Sequence, residues 1–110
     1  MAGVKRGEVR WVKLDPAVGS EIKKTRQAII VSNDSMNRYN TRVLVVPLTS
    51  NVDSLFPGET KVVIKGKASR ALCDQMRSLD KVRLGAKLGV LTTTELAELD
   101  RALRITLALG

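Results

Sequence analysis

The chain has 110 residues, with 19 Lys and Arg against 11 Asp and Glu, so its formal net charge at pH 7 is +8. This length supports one domain, residues 1–110, with a modest core, and 44% hydrophobic with 27% charged residues is typical of a globular protein. A field of this sign favours nucleic acid as the partner, then an acidic protein, and last an anionic membrane surface, because no basic amphipathic helix stands out.

The sequence contains no apolar run of membrane-spanning length, and residues 1–13 lack the apolar segment of a secretory signal. The single cysteine, Cys73, forms neither an intramolecular disulfide nor a zinc site alone. Its strand-like surroundings favour a buried structural thiol. We therefore expect a cytoplasmic protein that does not contact a membrane.

Strand-like segments dominate the N-terminal part. Residues 4–14 predict a first strand, to whose apolar surface Trp11 contributes, and a polar, basic loop follows as far as Thr25. Residues 27–31 predict a second strand, and the uninterrupted apolar run 28–31 within it is typical of a strand buried on both faces. Arg26 immediately precedes this strand, so we expect a positioned cation at the edge of the core.

The middle of the chain mixes a short helix with further extended segments. Residues 32–40 predict a helix capped by Ser32 or Asp34, and residues 42–48 a third strand in which Pro47 indicates a sheet edge or bulge. After these come a flexible connection at 51–59, a strand at 61–65 turned by Gly66, and extended segments at 71–79 and 81–84.

The C-terminal segment predicts an amphipathic helix. Thr92 and Glu95 match a capping box. One apolar stripe can cover a sheet, whereas the opposite patch indicates either a subunit partner or the core packing of a bent helix. The stripe is Leu96, Leu99, Leu103 and Leu107, and the opposite patch is Ile105 and Leu109. The whole order predicts a mostly β protein with helices (α+β), a small antiparallel barrel or half-barrel closed by a helix.

The absence of histidine from the sequence reduces the number of catalytic mechanisms open to this protein. It excludes Ser-His-Asp and Cys-His nucleophiles and the paired-histidine route to RNA cleavage. The carboxylates are scattered rather than clustered as metal ligands, and there is no phosphate-binding glycine loop. With only Trp11, Tyr39 and Phe56 as aromatics, a passive single-strand coat is disfavoured as well.

RNA supplies its own nucleophile, the 2′-hydroxyl, so a protein acting on it needs a proton acceptor and a donor to the phosphate. The rigid guanidinium fork of Arg26 suits the phosphate, and Glu21 in the preceding loop can accept or relay a proton. Lys23 and Lys24 supply steering charge. Thr49-Ser50 at the end of the third strand suits phosphate binding too, although the composition alone favours an ordinary turn.

These residues, in this order, resemble the MazF/PemK family of toxin endoribonucleases. The resemblance covers nearly the whole chain, including the Leu-rich helix. The matching blocks are Arg6-Gly7-Glu8-Val9, Asp15-Pro16 with Gly19-Ser20-Glu21, Thr25-Arg26 running into residues 28–34, residues 46–50, and residues 74–81.

The resemblance implies an SH3-like barrel, a homodimer, and metal-independent, sequence-specific cleavage of single-stranded RNA to 2′,3′-cyclic phosphate and 5′-hydroxyl ends, with no cofactor. It implies that Arg26 and Thr49 are catalytic, with Glu21 at an acidic position implicated in some members. It also implies an antitoxin whose acidic, disordered tail folds across the basic groove and blocks the inhibition of translation. Ser20, Asp74 and Gln75 fall where the family contacts RNA.

Two positions depart from the family pattern. Gln27 replaces the proline that usually follows the catalytic arginine, which removes a backbone restraint and restores an N–H, and we expect a small effect on Arg26. Cys73 replaces a usually aliphatic residue. The main alternative is a CcdB-like toxin that poisons DNA gyrase on the same fold without cutting RNA. A translation-associated RNA-binding barrel is a weaker one.

Overall fold

The structure, a computed structural model, describes residues 3–14, 25–53 and 55–110. Within these residues the chain forms seven strands and two helices, joined in two places by short 3-10 turns. The strands are β1 (Glu8–Lys13), β2 (Thr25–Ile30), β3 (Arg42–Thr49), β4 (Glu59–Ile64), β5 (Lys67–Leu72), β6 (Arg77–Asp80) and β7 (Leu84–Val90); the helices are α1 (Asp34–Tyr39) and α2 (Thr93–Leu107).

The strands form one strongly bent sheet in which every pair is antiparallel. Its order is β4-β5-β3-β2-β1-β7, and β6 pairs with the first half of β3. The two ends of this path approach each other, because a Cβ built on Gly89 of β7 would lie only 3.6 Å from the Ile64 side chain of β4. The half-barrel predicted from the element order is therefore confirmed.

Strand β2 lies between two apolar clusters. Ile29 and Val31 pack in the cluster that α2 covers through Leu99 and Ala102. Ala28 and Ile30 face the other way, into a cluster built with side chains of β1, β3 and β6. Since residues 28–31 are at most 7% exposed, the prediction of a strand buried on both faces is confirmed.

Helix α2 begins with the predicted capping box. The Thr92 hydroxyl accepts from Glu95 N at 3.1 Å, and Glu95 Oε1 accepts from Thr92 N at 2.9 Å. The second oxygen of Glu95 accepts from Val63 N at 2.7 Å, so the same carboxylate also satisfies a backbone donor of the edge strand β4. Leu99 is fully buried, whereas Ile105, Leu107 and Leu109 remain exposed.

The cap of α1 differs from the prediction. Asn33, not Ser32 or Asp34, is the N-cap, and its side chain accepts from Met36 N at 2.8 Å. Ser32 is instead buried: its hydroxyl donates to Asn37 Oδ1 and accepts from Leu44 N. The hydroxyl is used to join the helix to β3, so it is not available to the helix terminus.

Pro47 lies inside the sheet rather than at the predicted edge or bulge. It pairs with Ala28 of β2 on one side. On the other side β6 pairs with residues 42–45 and β5 with residues 48–49, so Pro47 falls between two partner strands. A residue without a backbone donor is tolerated where the ladder changes partner.

Most predicted extended segments have other limits in the structure: the second strand is Thr25–Ile30 rather than 27–31, and the strand predicted at 61–65 is Glu59–Ile64. The first strand begins at Glu8 rather than at residue 4. The segment 71–79 is broken by a 3-10 turn, Cys73–Gln75, in which Met76 N donates to Cys73 O, and this turn carries the chain from β5 to β6. The segment 81–84 is mostly the 3-10 turn Lys81–Arg83, because the Asp80 carboxylate caps it by accepting from Val82 N.

The turn at Lys65-Gly66 and the irregular connection before β4 agree with the prediction, apart from Ser54, which is outside the described residues. In the described parts of the chain, no helix is long and apolar enough to cross a membrane.

Gly58 and Gly66 form a matched pair for a test of packing. Both have positive φ, +85° and +79°, so alanine is strained at either position. A Cβ on Gly58 would lie 2.7 Å from Thr106 Oγ1 of α2, whereas a Cβ on Gly66 meets nothing within 4 Å. We expect Gly66→Ala to lower the free energy of unfolding by about 1–2 kcal/mol. Gly58→Ala should cost about 1–3 kcal/mol more, measured by urea denaturation. Equal losses for the two variants would contradict this, because they would show that α2 shifts to accommodate the added Cβ at no measurable cost.

Cys73 gives the stability a defined pH dependence. Burial first, then the charges of Glu59 and Asp74, raises the pKa of its thiol from 9.0 to about 11. Between pH 9 and 11 the unfolded chain therefore releases a proton that the folded chain keeps, so the free energy of unfolding falls as pH rises. From pH 8.5 to 10.5, wild type should lose about 2 kcal/mol more than Cys73→Val in urea denaturation with a reductant present. Parallel profiles for the two proteins would contradict this.

Candidate active site

The pairing of β2 with β3 determines where the two strongest candidate residues lie. Ala28 pairs with Pro47, and the recorded ladder ends there. Two residues further along each strand, the same register reaches Arg26 on β2 and Thr49 on β3. Two residues is one full period of a strand, so both side chains point to the same face of the sheet.

Arg26 and Thr49 line one cavity, of about 370 Å³, where β2 and β3 diverge. Strand β1 contributes to its wall through Trp11, which pairs with Gln27, and β5 contributes through its first residues. The lining residues are Trp11, Arg26, Gln27, Leu48, Thr49, Ser50, Lys67, Ala68 and Ser69.

The cavity is electropositive. Arg26 is half-buried and Lys67 is exposed, and none of the described residues that line the cavity is a carboxylate. A guanidinium that emerges from a buried strand is held in place and partly removed from water, which strengthens its attraction for an anion. The arrangement therefore suits a phosphate group.

The Thr49 hydroxyl is oriented by the backbone that follows it. Asn51 N donates to Thr49 Oγ1 at 3.3 Å, so the oxygen accepts from the chain and its proton remains available to a ligand. On the other side of β3, Thr49 pairs with Arg70 of β5. Arg70 in turn forms an ion pair with Glu59, 3.6 Å between Nε and Oε1, and Glu59 accepts from Phe56 N. These contacts hold Asn51 against the end of β3 and Phe56 against the start of β4.

Of the remaining predicted site residues, only Asp74 and Gln75 are among those that the structure describes. Ser20, Glu21, Lys23 and Lys24 lie in residues 15–24, outside the described residues. Asp74 and Gln75 are exposed in the Cys73–Gln75 turn, and neither is among the described residues that line the cavity. Their roles stay predictions.

Sequence reasoning missed the contributions of β1 and β5. The sequence predicts that Trp11 adds to the apolar surface of the first strand, yet this residue is 38% exposed at the cavity wall. Gly85 of β7 allows the Trp11 backbone to approach closely, because a Cβ on Gly85 would lie 3.1 Å from Trp11 O. Lys67 and Ser69 were not identified. Their only signal in the sequence is the tight turn at Gly66, which predicts a hairpin but not its pairing with β3.

A metal site is not indicated by the described side chains, because they contain no group of three or more His, Cys, Asp or Glu that could hold an ion. The donors that do converge on the cavity are a guanidinium, an ammonium and hydroxyls, which are ligands for anions.

Comparison with known proteins agrees with this geometry. The family described as PemK-like, MazF-like toxin of type II toxin–antitoxin system matches residues 5–107. Endoribonuclease MazF9 of Mycobacterium tuberculosis is 37% identical, over 96% of this chain and 98% of that protein. Endoribonuclease MazF of Staphylococcus epidermidis is 35% identical, over 97% and 93%. A solved mycobacterial endoribonuclease in complex with its cognate antitoxin has a TM-score of 0.82 and 25% identity, over 97% of each chain.

Trp11 is the only tryptophan, so it reports directly on this cavity. We expect a short single-stranded DNA oligonucleotide, which lacks the 2′-hydroxyl, to quench its fluorescence on binding. Stacking of a base on an aromatic ring is worth about 1–3 kcal/mol, so Trp11→Ala should weaken binding roughly 5- to 150-fold in an anisotropy titration. Trp11→Phe, the control, should retain most of the affinity. Saturable binding with unchanged Trp11 emission would contradict this placement.

Proposed function

Since this chain belongs to the PemK-like, MazF-like toxins of type II toxin–antitoxin systems and is a toxin endoribonuclease, we propose that it cuts single-stranded RNA at short sequences with Arg26 and Thr49 as its catalytic residues. The observation that carries the proposal is their meeting in one electropositive cavity at the end of β2 and β3. The absence of histidine requires that the transition state be stabilised by such groups.

In the proposed reaction, the substrate's 2′-oxygen attacks the adjacent phosphorus. The bond between the 2′-oxygen and phosphorus forms, the bond from phosphorus to the 5′-oxygen breaks, and the products are a 2′,3′-cyclic phosphate and a 5′-hydroxyl. Arg26 donates to the phosphate oxygens, on which negative charge develops, and the Thr49 hydroxyl adds a neutral donor. Glu21 accepts or relays the proton of the 2′-hydroxyl, and the departing 5′-oxygen takes up a proton from water and leaves as a hydroxyl. No metal or other cofactor takes part.

RNA binding extends beyond the scissile phosphate in this proposal. Lys67 and the predicted Lys23 and Lys24 attract the phosphate backbone, and Trp11 stacks on a base. Ser20, Asp74 and Gln75 are the proposed remaining RNA contacts. Cutting of messenger RNA by such a site inhibits translation.

We also propose that the working form is a cytoplasmic homodimer and that an antitoxin neutralises it. The exposed apolar patch at the end of α2 is consistent with a subunit contact. One structural relative is a complex with a cognate antitoxin. A net charge of +8 suits an acidic, disordered antitoxin tail that occupies the same cavity as RNA.

The decisive experiment is cleavage of mixed-sequence RNA in EDTA with mapping of both new ends. Wild type should cut at a short recurrent sequence and leave 2′,3′-cyclic phosphate ends. Arg26→Ala should lower the single-turnover rate by about 10²–10³-fold or more, because a donor to the developing charge is lost. Thr49→Ala should have a smaller effect, and Thr49→Ser should retain activity because it keeps the hydroxyl.

Arg101→Ala is the matched control, since it removes one guanidinium from the exposed surface of α2, where Arg101 pairs with Glu98 one helical turn away. It should cut like wild type. Uncut RNA, or cleavage that requires added metal, would disprove the mechanism. Gyrase inhibition that survives Arg26→Ala would instead support the CcdB-like alternative.

A further inference from the structure

A second and larger cavity, of about 670 Å³, lies on the α1 side of the sheet. Three separate segments form it: the residues before β1, helix α1, and the 3-10 turn that follows β6. Neither the predicted chemistry nor the family resemblance gives it a role. Its lining residues are Gly3, Val4, Lys5, Asp34, Ser35, Asn37, Arg38, Tyr39 and Lys81.

This α1 cavity carries an excess of positive charge. Lys5, Arg38 and Lys81 come from three different segments, against one carboxylate, that of Asp34. Asp34 Oδ1 already accepts from Arg6 N at 2.7 Å and from the Asn37 side chain at 3.3 Å. It is therefore engaged by its own surroundings, and the three cations that line the cavity outnumber it.

The α1 cavity also presents the only tyrosine of the chain. Tyr39 is 75% exposed, so its ring gains little from the core of the protein. The guanidinium of Arg38 lies 5.4 Å from the ring centroid, within the range of a cation–π contact. An exposed ring beside a guanidinium plane is a surface on which an unpaired base stacks, and every base offers a suitable face.

The α1 cavity is separate from the cavity lined by Arg26 and Thr49. Helix α1 leads directly into Arg42 at the start of β3, whereas Thr49 lies at the other end of that strand. Seven steps of about 3.3 Å separate these ends by roughly 23 Å. One nucleotide cannot contact Tyr39 and Arg26 together, but two parts of one strand can.

We propose that the α1 cavity binds an unpaired nucleotide of single-stranded RNA outside the cleaved sequence. The base stacks on Tyr39 beside Arg38, and the flanking phosphates lie against Lys5 and Lys81. The site thereby favours long, unstructured substrates over short ones. This inference rests on the proposed ribonuclease function. An acidic peptide would also satisfy the cations, but it gives no reason for the exposed ring, so RNA is the better match.

The test measures binding separately from cleavage. Full-length Arg26→Ala protein is titrated by anisotropy with a labelled RNA of about 30 nucleotides and with one of about 5, a length that fills a single site. Adding Tyr39→Ala should weaken binding of the long RNA roughly 5- to 150-fold, and Tyr39→Phe should restore it. Adding Lys81→Ala should reduce the slope of log affinity against log salt by about 0.7, as expected for one lost phosphate contact on a single strand.

The control variant is Lys61→Ala, which removes the same charge from the exposed outer side of β4. It should leave the salt slope and the affinity for both RNAs unchanged. The short RNA cannot occupy both cavities at once, so it should respond less than the long RNA to Tyr39→Ala or Lys81→Ala. Duplex RNA should not compete, because its bases are paired.

Three outcomes would overturn the proposal. In the first, Tyr39→Ala leaves binding of the long RNA unchanged; in the second, Lys61→Ala weakens it as much as Lys81→Ala does. In the third, polyglutamate binds in a manner that depends on Lys81 while RNA binding does not, which would assign the cavity to an acidic protein. Because the assay needs no cleavage, failure of wild type to cut RNA would refute the proposed function and leave this result intact.

Discussion

The candidate site depends on the antiparallel pairing of residues 28–30 of β2 with residues 45–47 of β3. Where that ladder ends, the two strands deliver Arg26 and Thr49 to corresponding positions on one face. A slip of one residue would turn one of the two side chains to the opposite face and separate the guanidinium from the hydroxyl. Catalysis of the proposed kind therefore requires a single register.

The apolar residues of β2 do not themselves select that register, because both faces of the strand are buried and accept Val, Ile or Ala in either phase. The register is selected instead by polar contacts at the other end of the β2–β3 pair. Val31 N donates to Leu44 O, and Leu44 N donates to the Ser32 hydroxyl, which also contacts Asn37 of α1. Any slip would leave these buried groups without partners, a cost of about 1–3 kcal/mol each. The geometry of the cavity is therefore determined by contacts that lie about 20 Å away from it.

The sequence predicted the features that depend on neighbouring residues and missed those that depend on pairing between strands far apart in the chain. The capping box of Thr92 and Glu95, the doubly buried β2 and the position of Arg26 at its start follow from neighbouring residues. The contribution of Lys67 and Ser69 to the cavity depends on β5 pairing with β3, and no local pattern encodes which strands pair. The wrong prediction for Pro47 has the same cause. A proline in a strand predicts a sheet edge, and only the tertiary structure shows that β6 pairs with β3 before Pro47 and β5 pairs with β3 after it. Asn33 replaced Ser32 as the cap because a buried contact with β3 competed for the hydroxyl.

The distribution of charge connects the fold with its partners. Several carboxylates are used within the structure, where Asp100 pairs with Arg6, Glu8 with Arg10, and Glu98 with Arg101. The cations of the two cavities are not matched in this way: among the described lining residues, the cavity at Arg26 and Thr49 has no carboxylate and the α1 cavity has one. Both cavities therefore carry excess positive charge that a polyanion can reach, at a cost in self-repulsion to the folded chain. A polyanion bound in either cavity would relieve this repulsion and stabilise the folded state by mass action, and the proposed RNA substrate and antitoxin would both act in this way.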